Sequence, residues 1–307
     1  MLTEKNCLVI GYGSIGQRHE TILNELGHRV SVVSRRAINY PLSYASIEEA
    51  IRCEKPEYII VANETSEHEK TLAKLIQLGY KDKILVEKPL YANVSDIEES
   101  PVSTFVGYNL RFHPIVQRLA EELSQKQVIS VQSYVGQYLP TWRPGTDYRD
   151  SYSASKARGG GVLRDLSHEL DYLQMLFGEW KEMSANGGNF SNLELDSDDH
   201  FTLIYRTEGV PTITVHMNYL DHITQRFIVI NTNSTTYRAD FISNTLQVND
   251  EVFQFIVGRD DTYKNQHLAV LNDELGSLCT FNEGYNLLKM IKGAELASKE
   301  KVWISNE

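Results

Sequence analysis

Cys7-Leu8-Val9-Ile10-Gly11-Tyr12-Gly13-Ser14-Ile15-Gly16 is the stretch that decides the fold of this chain. Cys7–Ile10 is a short apolar run of the kind that forms a buried strand. The glycines that follow are spaced G-x-G-x-x-G, and a helical pattern continues from them to about Leu26. That motif binds a dinucleotide when it joins a strand to a helix. Gly11 permits the tight turn, Gly13 lets backbone approach a pyrophosphate, and Gly16 lets helix and strand pack closely. Ser14 and Ile15 open the helix, whose first amides and positive dipole end face the phosphates. The competing reading is a glycine turn with no ligand, and the strand-before, helix-after placement tells against it.

Working outward, strands and helices alternate. Arg29–Val33 reads as a second strand and Ile47–Arg52 as a short helix with Ser46 as N-cap. Tyr58–Ala62 is a third strand, Glu67–Leu78 a helix stopped at Gly79, Lys83–Val86 a fourth strand and Val102–Gly107 a further one. Short apolar strands separated by helices predict βαβ units and a parallel sheet covered on both faces. The end of the second strand carries Ser34-Arg35-Arg36 and no carboxylate. NAD enzymes usually place an acid there for the ribose 2′-hydroxyl, whereas arginines suit a 2′-phosphate. The expected cofactor is therefore NADP(H), with NAD(H) the alternative if both arginines are only solvated surface.

The pattern changes after about residue 112. Residues 115–124 read as a helix, Val128–Val135 as a strand, 136–160 as a long irregular stretch, and Val162–Phe177 as a helix stopped by Gly178. Strand-like runs follow without helices: Phe201–Arg206, Pro211–Asn218, Arg226–Asn231, Thr235–Asp240 and Val252–Val257. Such a series implies an antiparallel sheet. Helices at about 262–276 and 283–299 close the chain. The expected architecture is α/β: a Rossmann domain over 1–112, then an α+β domain with a large, mostly antiparallel sheet over 113–307.

Composition bounds what such a chain does. It has 307 residues and a formal charge of −11, with 30 basic and 41 acidic residues. An acidic surface of this size is unsuited to wrapping nucleic acid or lying on an anionic membrane. No stretch approaches the roughly 20 apolar residues of a membrane span, and the N-terminus lacks the pattern of a signal peptide. Cys7, Cys53 and Cys279 are scattered, with no Cys/His cluster, so neither a disulfide framework nor a metal site is expected. A cytoplasmic protein is the resulting expectation.

Two groups carry the candidate chemistry. Glu87-Lys88-Pro89 ends the fourth strand, where ligands bind in open α/β sheets. An ammonium beside the hydride-exchanging carbon polarises a carbonyl or shares a proton with an alcohol. The second group is Gly159-Gly160-Gly161-Val162-Leu163-Arg164-Asp165-Leu166-Ser167-His168-Glu169-Leu170-Asp171. On one continuous helix Asp165 and His168 share a face, and a carboxylate beside an imidazole orients a general base. Taken alone, this helix would as readily hold an N-terminal acid and a structural histidine.

Together these residues make the chain similar to the glucose–fructose oxidoreductase / inositol dehydrogenase (Gfo/Idh/MocA) family of NAD(P)-dependent oxidoreductases. The features are the GYGSIG turn, Ala62-Asn63-Glu64-Thr65-Ser66-Glu67-His68, Glu87-Lys88-Pro89, Val106-Gly107-Tyr108-Asn109-Leu110-Arg111-Phe112-His113-Pro114, and the Gly-rich run with Asp165, His168 and Asp171. They run over nearly the whole chain. The resemblance implies a cofactor held by Asn63, Thr65, His68, Glu87, Lys88 and Asn109 as well as by the glycine turn and Ser34, Arg35 and Arg36. It implies a cis Lys88–Pro89 bond, and Lys88, Asp165 and His168 as the catalytic set. It also implies homo-oligomers, dimers or tetramers, for which the open face of the second sheet would serve. Two departures stand out. His168 follows Asp165 by three residues where relatives have four, and Glu64 takes the place of a proline.

The 136–160 stretch is too long for a mere connector. It holds Tyr138, Trp142, Tyr148 and Tyr152, and four basic residues (Arg143, Arg149, Lys156, Arg158) against Asp147 and Asp150, a net +2 in an acidic chain. Aromatics stack on sugar or base faces and arginines grip carboxylates or phosphates. Lys88, Arg111, Trp142, Arg143, Tyr148, Arg149, Asp165 and His168 are thus the expected substrate contacts, unless the loop packs against a partner subunit. The expected activity is hydride transfer between nicotinamide and a secondary alcohol or ketone of a sugar derivative, anionic or nucleotide-linked, as in relatives from surface-carbohydrate pathways. The alternatives are a dinucleotide-binding sensor without turnover, or a same-fold reductase of a non-sugar substrate such as a linear tetrapyrrole.

Overall fold

The computed structural model describes residues 3–306 except Asp96 and Glu98. Met1 and Leu2, on which the signal-peptide reading partly rests, lie outside the described residues. In chain order the elements begin β1 (Asn6–Ile10), α1 (Ser14–Glu25), β2 (Arg29–Val33), β3 (Ser43–Tyr44), α2 (Ile47–Glu54), β4 (Tyr58–Val61), α3 (His68–Gln77), β5 (Lys83–Val86) and β6 (Thr104–Val106). Next come α4 (Pro114–Leu123), β7 (Val128–Gly136), α5 (Val162–Asp165), α6 (His168–Phe177), β8 (Trp180–Gly188), β9 (His200–Thr207), β10 (Thr212–Asn218), β11 (Gln225–Thr232), β12 (Thr236–Asp240), β13 (Thr245–Val248) and β14 (Glu251–Gln254). The chain ends with α7 (Asp261–Leu271), β15 (Cys279–Thr280), α8 (Phe281–Glu300) and β16 (Ile304–Ser305). Among the described residues no helix is long and apolar enough to cross a membrane.

Two compact units result, Met1–Phe112 with Arg259–Tyr285, and His113–Gly258 with Asn286–Glu307. The assignment of all of 113–307 to one domain is thereby corrected. The segment 259–285 returns to the first unit because α7 buries Ala269 and Val270 in that unit's core, and Leu278 just after it does the same. Lys83 donates to the Val270 carbonyl at 2.7 Å and pairs with Asp273.

The first unit is the expected Rossmann domain. Its strands lie in the order β3-β2-β1-β4-β5-β6-β15, parallel except for β15 against β6. Leu8 registers with Ser31 on one side and Ile59 on the other. Tyr58, Ile59, Ile60 and Val61 are all buried, so the sheet is covered on both faces, as the unbroken apolar runs predict. Each such side chain contributes about 1.5–3 kcal/mol by leaving water.

The second unit carries the strands β14-β13-β12-β11-β7-β10-β9-β8-β16, antiparallel apart from the β7–β10 pair. Burial alternates along them, the signature of a sheet with one packed face. On that face Tyr172 of α6 meets Ser133 at 3.1 Å, and Gly293 of α8 lies against Trp180. The opposite face carries a ring stack, Tyr134 lying parallel to His216 at 4.8 Å and to Phe227 at 5.3 Å.

Several elements differ from expectation. Trp180–Gly188 and Thr245–Val248 are strands, and the 252–257 run is a strand only over Glu251–Gln254. Val248 faces Glu251 across the two-residue turn Asn249-Asp250, with Asn249 at φ +51, a hairpin of the left-handed turn class. The 262–276 helix stops at Leu271, before Asp273 at φ +61. The irregular 136–160 stretch holds 3-10 turns at Leu139–Thr141, Tyr148–Asp150, Tyr152–Ala154 and Lys156–Arg158. Val162–Phe177 is two helices rather than one, interrupted at Leu166 and Ser167.

Candidate active site

In the first unit, the three motif glycines meet three different demands. Gly11 has φ +99, and a Cβ there would lie 2.5 Å from the Asn63 nitrogen. A Cβ at Gly16 would lie 2.0 Å from the Gly11 carbonyl oxygen. The protein's own packing excludes a side chain at both. At Gly13 a Cβ would meet nothing within 4 Å, and its φ of −79 and ψ of −168 suit any residue. The described residues leave room for a side chain there, so no packing among them demands glycine. Ser14 and Ile15 start α1 with no side-chain cap and no acid in the first turn. The Asn63 side-chain oxygen at the end of β4 is buried without a hydrogen-bond partner among the described residues, while its amide donates to Thr71 at 2.8 Å. Open space at Gly13, an uncapped helix start and a buried orphan acceptor all fit a dinucleotide.

At the end of β2, Ser34 closes a turn by accepting from the Arg36 backbone nitrogen at 3.1 Å. Arg35 projects into solvent, 76 % exposed, and pairs with Glu67 at 2.7 Å. Arg36 is exposed. Glu64 stands at φ −64, the value a proline ring would impose. The departure from the family's proline therefore leaves the backbone course intact. Thr65 opens the short 3-10 turn that follows.

Lys88 is half-buried and the Lys88–Pro89 bond is cis. His68 lies under this turn, its Nδ1 3.0 Å from the Pro89 carbonyl and 3.2 Å from that of Leu90, its Nε2 3.2 Å from that of Asn63. It was expected to touch the cofactor. With 1 % exposure and both nitrogens on backbone, it joins the end of β4 to the Lys88 turn instead. Asn109 likewise donates to Thr262 at 2.6 Å, in the buried interior. Arg111, expected at the substrate, is 1 % exposed and gives its guanidinium to the Leu278 carbonyl and to Glu283 at 3.0 Å. Its task is to anchor the returning segment.

Glu87 is buried. Its carboxylate accepts from the Lys88 backbone nitrogen at 3.2 Å and meets His19 Nε2 at 2.9 Å. Burial alone would raise its pKa. The His19 hydrogen bond, with the charge of Lys88 and the hydrogen bond from its backbone nitrogen, outweighs that and holds it below the usual carboxylate value.

In the second unit, Asp165 ends α5 and His168 begins α6. The one continuous helix assumed for them is interrupted at Leu166 and Ser167. Asp165 is 7 % exposed and accepts from the Tyr219 hydroxyl at 2.6 Å. Tyr152 also hydrogen-bonds Asp165, and the carboxylate's charge together with burial pushes that phenol's pKa up. Burial and Asp165 push Tyr219 up as well. Both tyrosines remain protonated donors, and Asp165 sits between them. The approach to Asp165 is fixed by Gly161, at φ +120, where a Cβ would lie 2.3 Å from an Asp198 oxygen. The other Asp198 oxygen accepts from the Leu163 nitrogen at 3.0 Å.

Trp142, Arg143 and Tyr148 line one pocket with Leu139, Thr146, Ser151 and Ser153. Trp142 meets Tyr219 edge-on at 5.2 Å, and Arg143 lies over the Tyr152 ring at 5.4 Å. Arg149 is differently engaged. It pairs with Asp147 at 2.5 Å and Glu194 at 3.2 Å, and is already neutralised. Tyr148 accepts from the Glu194 nitrogen at 3.0 Å. Tyr219 and Asp198 escaped the sequence reading because their partners, Asp165 and Leu163, are 54 and 35 positions away, and no local period signals such pairings. Among the described residues, no group of three or more His, Cys, Asp or Glu side chains is placed to hold a metal ion.

These features define an oxidoreductase with an NAD-binding fold. Residues 5–101 match the oxidoreductase family with NAD-binding Rossmann fold, and residues 116–236 match the GFO/IDH/MocA C-terminal domain. The chain belongs to the Gfo/Idh/MocA family. A search of the curated proteins finds no match. Among solved structures, a levoglucosan dehydrogenase in complex with NADH is similar at 15 % identity and TM-score 0.83, over 99 % of each chain. The WlbA dehydrogenase from Bordetella pertussis, in complex with NADH and UDP-GlcNAcA, is similar at 16 % identity and TM-score 0.81, over 100 % of this chain and 99 % of that one. GenD2 from gentamicin A biosynthesis, in complex with NAD, is similar at 19 % identity and TM-score 0.79, over 100 % and 98 %. At these identities the likeness establishes the fold.

Proposed function

We propose that this protein transfers hydride between a nicotinamide dinucleotide and a secondary alcohol or ketone of a sugar derivative, one carrying an anionic group such as a nucleotide or a carboxylate. The observation that carries the reading is Asp165, a buried carboxylate oriented by two phenols in the unit that follows an NAD-binding domain. A sensor without turnover would not need it. Levoglucosan dehydrogenase and the WlbA dehydrogenase, by their names, act on or bind sugars, which favours a sugar over a tetrapyrrole.

Gly11, Gly13, Gly16, Ser14 and Ile15 hold the pyrophosphate, and Asn63 and Thr65 line the path beside it. When bound, the cofactor supplies the hydride chemistry. Lys88 stabilises negative charge on the substrate oxygen as the carbonyl and alcohol interconvert. His168 exchanges the hydroxyl proton, and Asp165 fixes the local geometry through Tyr219 and Tyr152. Trp142 offers a ring face to the sugar and Arg143 a guanidinium to the anionic group. Exposed Arg36, with Arg35, favours NADP(H) over NAD(H). Assembly into dimers or tetramers through the open sheet face with the Tyr134 stack completes the proposal.

The test is turnover of nucleotide sugars, sugar acids and cyclitols with NADPH and NADH. The expected outcome is oxidation or reduction of an anionic sugar with the higher kcat/KM for NADP(H). Cofactor binding with no turnover of any of these would favour the sensor.

A further inference from the structure

Four buried side chains of the first unit form one line of contacts. Tyr58, at the start of β4, has its hydroxyl 3.0 Å from His267 Nδ1 on α7. His267 Nε2 is 2.9 Å from His19 Nδ1 on α1. His19 Nε2 is 2.9 Å from Glu87 Oε1, and the other Glu87 oxygen accepts from the Lys88 nitrogen. Tyr58, His267 and His19 are 1 % exposed or less, and Glu87 is 7 % exposed. The room for this carboxylate is made by Gly107, where a Cβ would stand 2.9 Å from Glu87 Oε1.

Donor counting gives the line a direction. An ionised carboxylate only accepts, so His19 Nε2 donates to Glu87. A neutral His19 then accepts at Nδ1 from His267 Nε2–H. His267 in turn accepts at Nδ1 from the Tyr58 hydroxyl. Every atom in the line is satisfied with one donor and one acceptor per bond, and no second charge is needed. A broken link would leave a buried polar atom unpaired, at about 1–3 kcal/mol.

We infer that Tyr58, His267 and His19 are positioning residues that keep Glu87 ionised and fixed against the Lys88 backbone nitrogen, and that Glu87 thereby sets the charge of the catalytic ammonium. The role of Lys88 rests on the proposed function; the ordered line does not. Other titratable groups face it. His68 approaches from under the Lys88 turn, Tyr263 of α7 meets His19 edge-on at 5.7 Å, and Arg18 lies over the Tyr263 ring at 4.1 Å. Arg18 is paired with Asp260 at 2.6 Å. Burial lowers His68 and His267 and raises Tyr263, keeping them neutral. Cys7 and Tyr80, near Tyr58, are raised by burial as well. Glu87 is thus the anion that the line presents to Lys88.

The experiment measures the titration of Lys88 in the full-length protein, by competitive acetylation across pH read by mass spectrometry, without any substrate. Glu87→Gln should lower the pH at which Lys88 becomes reactive by about one unit, the effect of removing a nearby opposite charge. His19→Phe should shift it in the same direction, because the carboxylate without its donor loses its fixed place beside Lys88. Tyr58→Phe, which deletes one oxygen, should produce a smaller shift of the same sign. Nitrogen NMR of histidine-labelled protein should show His19 and His267 as neutral Nε2–H tautomers at neutral pH, in the wild type and without reference to activity. A Lys88 titration unmoved by His19→Phe, or an Nδ1–H tautomer at either histidine, overturns the inference. Absence of turnover with these results intact would overturn the proposed reaction alone.

Discussion

Alanine at Gly13 and alanine at Gly16 should fail in opposite ways. At Gly16 the new Cβ would stand 2.0 Å from the Gly11 carbonyl oxygen, against an ordinary contact of 3.4 Å or more. The oxygen is backbone and the Cβ is fixed rigidly to backbone, so α1 must move from β1 by more than an ångström. Overpacking of this kind costs about 1–3 kcal/mol or more, and in a chain of this size each kcal/mol lowers Tm by roughly 2–4 °C. Gly16→Ala should therefore melt several degrees early. At Gly13 the Cβ meets nothing and the backbone is relaxed; the N-cap change from glycine to alanine costs up to about 1 kcal/mol. The methyl group does occupy the space through which a pyrophosphate would approach the helix amides. Gly13→Ala should weaken NAD(P)H binding at least tenfold, or about 1.4 kcal/mol, while Tm changes little. Titration by reduced-nicotinamide fluorescence, beside thermal unfolding of both variants, decides the matter. Wild-type affinity in Gly13→Ala would refute the assignment of that turn to the dinucleotide.

Tyr219→Phe removes a 2.6 Å hydrogen bond to the Asp165 carboxylate, and bonds to charged groups contribute about 1.5–3 kcal/mol. It should cut kcat by tenfold or more while the Kd for NAD(P)H stays within twofold in a binding titration. Arg143→Ala should raise KM for the anionic substrate and leave KM for its uncharged analogue unchanged in steady-state assays. Burial holds His267 well below its ordinary 6.5. A group depressed in this way is protonated in the unfolded chain first, so stability present above pH 6.5 is lost as the pH falls below it. Tm measured across that range should fall on acidification, and fall less steeply in His267→Gln.

The first unit was legible because its determinants are local. A strand buried on both faces shows as an unbroken apolar run, and Gly11, Gly13 and Gly16 fix a turn within six positions. Ser46 signals a helix start by its own chemistry and does accept from the Glu49 nitrogen at 3.2 Å. The return of α7 to the first unit was not legible, since the pairing of Lys83 with the Val270 carbonyl spans 187 positions. The break between Asp165 and His168 was hidden for a related reason. Leu166 and Ser167 carry no helix-breaking residue type, so nothing in the local sequence marks the interruption. Basic residues in the 136–160 loop were legible as charge but not as partners. Arg149 is neutralised by Asp147 and Glu194, and Arg143 is the one over the Tyr152 ring.

Hydride transfer at a sugar carbon is the claim on which the account turns. Its most direct measurement is isotopic, with reduced nicotinamide dinucleotide deuterated at C4, an oxidised anionic sugar, and product analysis by mass spectrometry and NMR. Wild-type protein should deliver deuterium to a single carbon bearing a hydroxyl. Lys88→Ala should bind the cofactor as tightly and deliver at least a hundredfold less, in line with the usual contribution of a positioned acid–base group. Tight cofactor binding with no deuterium transferred by the wild type to any sugar would contradict the account.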